Sequence, residues 1–529
     1  MSLWKISVLQ FKGSLMLDME RLIEEFNSQV LHKDDELIIL DAGADRLESI
    51  AVYIKNHLGF VFLKLVTKSG VPGEEKVWYW FENIESAISL GISVTLENEI
   101  RPTLSSIFKN AKHLEQMCFL DSNKTDYLSR SNKLPPLRKS VEANFVDPSV
   151  REVLQLASPL SVGGEIKAGV VTTDDTVRFC QVHSGSYNRY IEKQLDGEDF
   201  ETVANALLKY DGYQGFVWSS LFYQAIENKN KVLLPDKAQA IRMIFLEFAR
   251  ILEHLEFLSS IALEAQAKSF KLTVLKWSLR VEELLRDYSG NMYNIGILTL
   301  GGVHKRPPVN WVSNCIQELS KIGDQLKNYV DKISKSSFWR QLDEVAPLSS
   351  KVLIDWSIQG PALRASGINF DLRKRRPIYL YDEVEFRTPV GLNGTLYDRF
   401  LVRCEEVTQS ILIITQLLDN LPTDEIVSKS VPHFSHFGHS VEGEEREYED
   451  AVRNKIKLKD GEYYNSMEAA SGCIQIFFTL IEGKVHDLKI GTDYLSKILC
   501  LEEASPGVTY ESLGLLLRSL HINHTALEK

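Results

Sequence analysis

Apolar positions change period along this chain. Over the first 125 residues, Leu3–Phe11, Glu36–Asp41, Phe60–Lys68 and Lys76–Phe81 are rich in β-branched and aromatic side chains, which predicts strands. Between them, Met16–Val30 and Asp45–Leu58 carry apolar residues at helical spacing. The alternation predicts a small α+β domain over 1–125. Ser129–Asp147 then mixes prolines, serines and charges without an apolar period, as an exposed connector does, so 126–149 reads as a linker. From about residue 150 the pattern turns into a few strands followed by long helical stretches. The second domain, 150–529, is expected to be mainly α-helical with short peripheral β-sheets, giving an α+β chain overall.

The strongest helical signal follows Pro235, which stands where a helix can start without losing a backbone bond. Beyond it, Ile241, Ile244, Phe245, Phe248, Ile251, Leu252, Leu255 and Leu258 recur at intervals of three and four. One face of that helix is expected to be buried in a helical bundle. Arg242, Glu247, Arg250 and His254 lie among these positions. Glu247 and Arg250 read as a structural ion pair on adjacent turns, and His254 as a buried histidine with its bonds satisfied.

Composition narrows the function classes. At 529 residues the chain is long enough for two or more cores, and 44% hydrophobic with 25% charged is the balance of a soluble globular protein. No apolar run approaches the roughly 20 residues of a membrane-spanning helix. The start, MSLWKISVLQFKG, lacks the basic region and apolar core of a signal peptide, so a cytoplasmic location is expected, with membrane contact through partners. A net charge of -12 argues against a nucleic-acid partner, whose phosphates call for a basic surface.

Cys118, Cys180, Cys315, Cys404, Cys473 and Cys500 are scattered and none forms a Cys-x-x-Cys pair, so they read as reduced buried thiols. There is no Gly-x-Gly-x-x-Gly or Walker loop to hold a nucleotide. His433, His436 and His439 have spacing that suits a metal site, but the neighbouring proline, glycine and acidic run favour a solvated loop.

The segment Gly360–Pro422 is far more particular. It holds Gly360-Pro361, Leu363-Arg364-Ala365-Ser366-Gly367, Asp371-Leu372-Arg373-Lys374, Pro377, Tyr381, Phe386, Pro389, Gly394, Tyr397-Asp398-Arg399, Leu401-Val402-Arg403, Glu406, Gln409-Ser410 and Leu421-Pro422. It closely resembles the signature region of the D subunit of respiratory complex I (NADH-quinone oxidoreductase), a family related to the large subunit of nickel-iron hydrogenases. The resemblance covers 150–529 well. It covers 1–125 more weakly, through Pro102-Thr103, Ile107-Phe108, Ala111 and Leu114-Glu115, where the chain is similar to the C subunit that some bacteria fuse ahead of D.

The resemblance implies a docking domain like the C subunit, followed by a hydrogenase-large-subunit-like domain. It implies structural roles for Arg250, His254, Arg364, Gly367, Asp371, Arg373, Tyr397, Asp398, Arg399, Arg403 and Glu406. The hydrogenases hold their metal with two Cys-x-x-Cys pairs, which this chain lacks, so no nickel is expected and hydrogenase chemistry is excluded.

Quinone reduction delivers two protons to two carbonyl oxygens, which calls for His and Tyr donors supported by a carboxylate. The family supplies them from a His-Pro-x-x-His-Gly loop, a tyrosine and an acid. The corresponding loop here reads Ser158-Pro159-Leu160-Ser161-Val162-Gly163, without either histidine. The tyrosine corresponds to Tyr213 after a one-place slip, and the acid to Glu264, which reads equally as a solvated or re-paired carboxylate. His183 stands in Val182-His183-Ser184-Gly185, similar to the family's Leu-His-Arg-Gly turn. Tyr213, Glu264 and His183 are thus the candidate quinone-pocket residues. Two family arginines are Met292 and Thr299 here, which implies a lower-potential iron–sulfur cluster nearby, or none. His521 stands where the family has an aspartate.

Two readings follow. In the first, the chain is a peripheral-arm subunit of a membrane-attached NADH or ferredoxin quinone oxidoreductase on the cytoplasmic side of the membrane. Quinone is then the substrate, and NAD and an iron–sulfur cluster are carried by partners. A protein like the B subunit of complex I and other peripheral and membrane subunits surround it. In the second, the chain is a non-catalytic relative that keeps the fold and docking surfaces of such an assembly while its quinone site has decayed.

Overall fold

Strand and helix periods resolve into α+β architecture in a computed structural model, which describes residues 15–34, 36–70, 75–96, 103–120, 152–157, 165–183, 191–292, 295–336, 339, 342, 345–429 and 458–522. The predicted strand Leu3–Phe11, the linker 126–149, the loop Ser158–Gly163 and the His433–His439 loop lie outside these residues.

The N-terminal part contains α1 (15–25), β1 (Gln29–Lys33), β2 (Leu37–Asp41), α2 (Leu47–His57), β3 (Phe62–Ser69), β4 (Lys76–Glu82), β5 (Ser89–Thr95) and α3 (Ala111–Leu120). Its five strands lie in the order β1-β2-β5-β4-β3, with β2 and β5 parallel and the other neighbours antiparallel. The sequence pattern runs the first helix through Val30. It instead ends at 25, Asn27 takes a left-handed φ of 46°, and Gln29–Lys33 leaves as an edge strand. All five residues of that strand are exposed, so no apolar alternation marks it.

Alternation along β4 divides the domain's two faces. Val77, Tyr79 and Phe81 join Leu15, Met19, Leu22, Ile50 and Ile54 in the domain's own core, while Trp78 and Trp80 point the other way. They pack on Leu65 and on Phe477 from the C-terminal part of the chain, and Trp80 stacks on Tyr464 with ring centroids 3.8 Å apart. Gly91 on β5 makes room for this: a Cβ there would lie 2.5 Å from the Trp80 ring. Polar contacts run around these rings. Lys64, fully buried, bonds Gln359 and lies 3.5 Å from Glu82, and Gln359 donates to Glu82 at 3.0 Å. Arg376 donates to Ser89 at 2.8 Å.

The second part opens with an antiparallel three-stranded sheet of β6 (Glu152–Ala157), β7 (Glu165–Thr173) and β8 (Thr176–His183). Helices α4 (Phe200–Leu208), α5 (Gly215–Asn230), α6 (Asp236–Glu264), α7 (Lys268–Ser289), α8 (Trp311–Ile333) and α9 (Leu396–Asp419) follow. Strands β9 (Gly461–Glu468), β10 (Cys473–Ile481) and β11 (Lys484–Gly491) form an antiparallel sheet closed by the short strand Glu198–Asp199, and α10 (Tyr494–Ala504) and α11 (Tyr510–Ser519) end the fold. Helix α6, with Pro235 as its N-cap, packs against α7, α9 and α11.

The sequence pattern assigns α6 one buried face. It is buried nearly all round, Arg242, Glu247, Arg250, Glu253 and His254 included, because its polar side pairs with charges from other elements. Among the described residues, no helix is long and apolar enough to cross a membrane. All six cysteines are buried free thiols.

Candidate functional site

At 100° per residue, Phe245, Ala249 and Leu252 fall on one side of α6, and Glu247, Arg250 and His254 on the other. The two sides carry different chemistry. The first lines an apolar cavity, completed by Tyr213 from the 3-10 turn Gly212–Gln214, Leu285 of α7 and Met292. Its empty space, open mouth included, is about 320 Å³. It is narrow, with room for about one water. The Tyr213 hydroxyl donates to Glu282 Oε1 of α7 at 2.6 Å, and Glu282 is buried.

The second side of α6 faces an ion network built from the Gly360–Pro422 segment. Arg364 donates to Glu406 Oε1 from Nε at 2.9 Å and Nη2 at 2.7 Å, while its Nη1 reaches Glu468 at 2.8 Å and the Phe370 carbonyl at 2.9 Å. Glu406 Oε2 bonds His254 Nε2 at 2.8 Å, and Arg403 donates to His254 Nδ1 at 3.2 Å. Because the Arg403 N–H needs an acceptor, the single proton of neutral His254 sits on Nε2 and is donated to Glu406. Two turns back, Glu247 accepts from Tyr381 and Ser410, each at 2.5 Å, and from Arg250 and Arg373 at 3.3 Å. Arg250 also ties α6 to the end of β9 through the carbonyls of Glu468 and Ala469.

Electrostatics follow from burial opposed by pairing. Burial drives His254 down to about 4, outweighing the opposing Glu406 contact. Burial pushes Glu406 upward, but Arg364 and the His254 bond hold it well below the usual carboxylate range. Asp371 is likewise raised by burial and brought down to about 2 by Arg373 and Arg364. Arg399 and Arg403, more weakly compensated, fall to about 9 and about 10 through burial. With its members bonded to one another and buried, the network clamps the segment onto α6 and β9 and presents no reacting face to solvent.

Local geometry accounts for the other signature residues. Asp371 caps the single-turn helix Leu372–Arg375 by accepting from Arg373 N at 2.9 Å, and binds the Arg373 guanidinium at 2.7 Å. Gly367, with φ +94°, follows the short helix Pro361–Ala365 in a conformation that other residues rarely adopt. Thr395 and Asp398 form a reciprocal capping box at the start of α9. Tyr397 packs on the core, and Arg399 donates to Ser519 of α11 and to the carbonyls of Gly394 and Ala346.

The three candidate quinone-pocket residues have separate placements. Tyr213 lines the cavity. Glu264 closes α6 and accepts from Arg518 Nε of α11 at 2.7 Å; twelve residues beyond Leu252, it stands about 18 Å further along the helix axis. His183 ends β8, with its backbone paired to Lys167. Met292 lies in the cavity wall, and the Thr299 carbonyl accepts from Arg242, itself bound by both oxygens of Glu227. Sequence reasoning missed Glu282 and Arg518, whose partners are 69 and 254 positions away and share no motif with them.

Residues 272–492 match the profile of a family described as "Respiratory-chain NADH dehydrogenase, 49 Kd subunit". The chain is 30% identical over 281 residues to the NADH-ubiquinone oxidoreductase 49 kDa subunit of Reclinomonas americana, covering 52% of this chain and 67% of that one. It is 28% identical over 337 residues to the D subunit of NADH-quinone oxidoreductase from Ehrlichia canis, covering 61% and 81%. It is 27% identical over 350 residues to the C/D subunit of NADH-quinone oxidoreductase from Bdellovibrio bacteriovorus, covering 63% of this chain and 61% of that longer one.

Proposed function

Because the chain belongs to the family of the 49 kDa, or D, subunit of respiratory complex I, we propose that it serves as a peripheral-arm subunit of a membrane-attached NADH or ferredoxin quinone oxidoreductase, with the Tyr213 cavity as part of the quinone-reduction site. On this reading the five-stranded N-terminal part corresponds to the C subunit of complex I and acts as a docking platform. The rest is built like a hydrogenase large subunit. NAD and an iron–sulfur cluster belong to partners, the cluster to a protein like the B subunit, which supplies the electrons. Contact with the cytoplasmic face of the membrane runs through other subunits.

The observation that carries this reading is one titratable hydroxyl on an apolar cavity, backed by a buried carboxylate: Tyr213 on Glu282 at 2.6 Å. Apolar walls suit a quinone ring, and a tyrosine hydroxyl that turns from Glu282 to a ring carbonyl can give up its proton as charge develops there. Glu282 then holds the hydroxyl at the cavity wall until it turns, and the proton that Tyr213 gives up is replaced from solvent. Entry of a ring requires the cavity to widen.

The second reading, in which the quinone site is silent, draws support from the narrow cavity and from Ser158 and Val162 in the place of two histidines. The experiment is isolation of the assembly from its native source in mild detergent, with quinone-reductase assays on wild type and Tyr213→Phe. A loss of at least about tenfold with unchanged subunit composition is expected for a positioned proton donor. An intact assembly that turns quinone over equally well with Tyr213→Phe, or not at all, overturns the catalytic reading in favour of the silent one.

A further inference from the structure

One turn beyond the cavity along α6, a second cluster takes no part in the ion network. Glu253 and Glu256 of α6 and His521, just past α11, each place one ligating atom within 4.8 Å of the others. Glu253 Oε2 stands 3.3 Å from His521 Nε2 and, among the described residues, has no hydrogen-bond partner, although Glu253 is 1% exposed. A buried oxygen left in that state is costly unless something else occupies the gap. The 3.3 Å separation is the edge of a tetrahedron whose metal–ligand bonds are about 2.0–2.1 Å, the lengths of zinc bonds to imidazole and carboxylate.

A neighbour outside the acidic pair points the same way. Gln214, next to the cavity's Tyr213, is 2% exposed and lies against Glu253, which burial, Glu256 and Asp211 together push well above the ordinary carboxylate range while Arg403 and Gln214 oppose them. Among the described residues, neither side-chain atom of Gln214 completes a hydrogen bond within standard geometry, and His521 Nδ1 is also without one. Charge is in the right sense: Glu253, Glu256 and nearby Asp211 face Arg403 and Lys497, and Lys497 is already paired with Asp493 at 2.8 Å.

We propose that Glu253, Glu256 and His521 form a divalent-cation site of the zinc class, with two carboxylates, one imidazole and an open fourth position. His521 is essential to it, since a carboxylate pair alone is a poor site for a borderline metal. Nδ1 and Gln214 are then the groups available to orient the ligands, directly or through water.

The test uses the full chain, stripped of metal and titrated with Zn2+ and, for spectroscopy, Co2+. Wild type is expected to bind one Zn2+ per chain and to give the intense visible Co2+ absorption of a tetrahedral site. His521→Asn and Glu256→Gln are each expected to weaken binding at least tenfold and abolish the band. A triple His433→Ala, His436→Ala, His439→Ala variant is expected to keep both. Glu256 is only half-buried, so Glu256→Gln tests the site even if His521→Asn fails to fold. Absence of stoichiometric binding, binding unchanged in Glu256→Gln, or loss only in the triple variant overturns the proposal.

Discussion

Arg364 holds Glu406 through two hydrogen bonds to the same carboxylate oxygen, at 2.9 and 2.7 Å, with both side chains fully buried. Glu406 spends its other oxygen on His254, so the arginine and the histidine are coupled through one carboxylate. Replacing Arg364 with Met leaves Glu406 and Glu468 without their main counter-charge. The expected cost is about 3–5 kcal/mol, the range for breaking a buried pair by removing one partner. Arg364→Lys does not rescue it, since one ammonium cannot reach Glu406, Glu468 and the Phe370 carbonyl together. Denaturant unfolding of the purified chain measures both; a loss under about 1 kcal/mol for Arg364→Met contradicts the clamp role assigned to the network.

His254 makes stability depend on pH. Its folded value of about 4 lies below the ordinary 6.5, so the folded chain binds fewer protons than the unfolded one between those values. The stabilisation is therefore fully present above about pH 6.5 and is lost as pH falls toward 4, amounting to about 3 kcal/mol. Glu406, also lowered, loses its contribution only at more acid pH. Melting temperatures from pH 7 to 4.5 are expected to fall more steeply for wild type than for His254→Gln. Parallel curves contradict this.

The contact of Gly91 with Trp80 predicts coupling across the sheet. Gly91→Ala places a methyl group 2.5 Å from the indole and is expected to cost about 1–3 kcal/mol. Trp80→Val removes the obstacle, so Gly91→Ala in that background is expected to cost little. A double-mutant cycle reads the difference; additive effects mean that the ring is not what excludes the side chain.

Glu264 and Tyr213 are separable. Glu264 is partly exposed and paired with a partly exposed Arg518, so Glu264→Gln is expected to change stability by less than about 1 kcal/mol. In quinone-reductase assays of the assembled complex it is expected to reduce turnover less than Tyr213→Phe, because it sits beyond the cavity with its own partner. A larger effect from Glu264→Gln reverses that order and moves the working carboxylate away from Glu282.

Much of the scaffold was legible in sequence because it rests on short-range rules. The Ile241–Leu258 spacing places α6 with Pro235 at its start, and Glu247 and Arg250 pair as adjacent turns predict. His254 is buried and bonded on both ring nitrogens. What escaped is long-range. The alternation of β4 is visible in the chain, but that Trp78 and Trp80 meet Phe477, about 400 positions away, is not. Likewise, Tyr213 reveals a donor, but its link to Glu282 depends on how α7 packs. Gln29–Lys33 has no apolar face, and Ser89–Thr95 is interrupted by the glycine that the indole requires.

The Trp80–Tyr464 stack, ringed by Lys64, Glu82, Gln359 and Arg376, has a consequence for assembly. Where two such modules are separate chains, each copy must find the other by diffusion, at a rate and occupancy set by their concentrations. Here the same encounter is intramolecular, so its occupancy is set by an effective concentration and not by the concentration of free chains. Stoichiometry between them is fixed at one to one, and the joint does not dissociate on dilution. Such a seam can then tolerate weakening substitutions that would disperse an untethered pair.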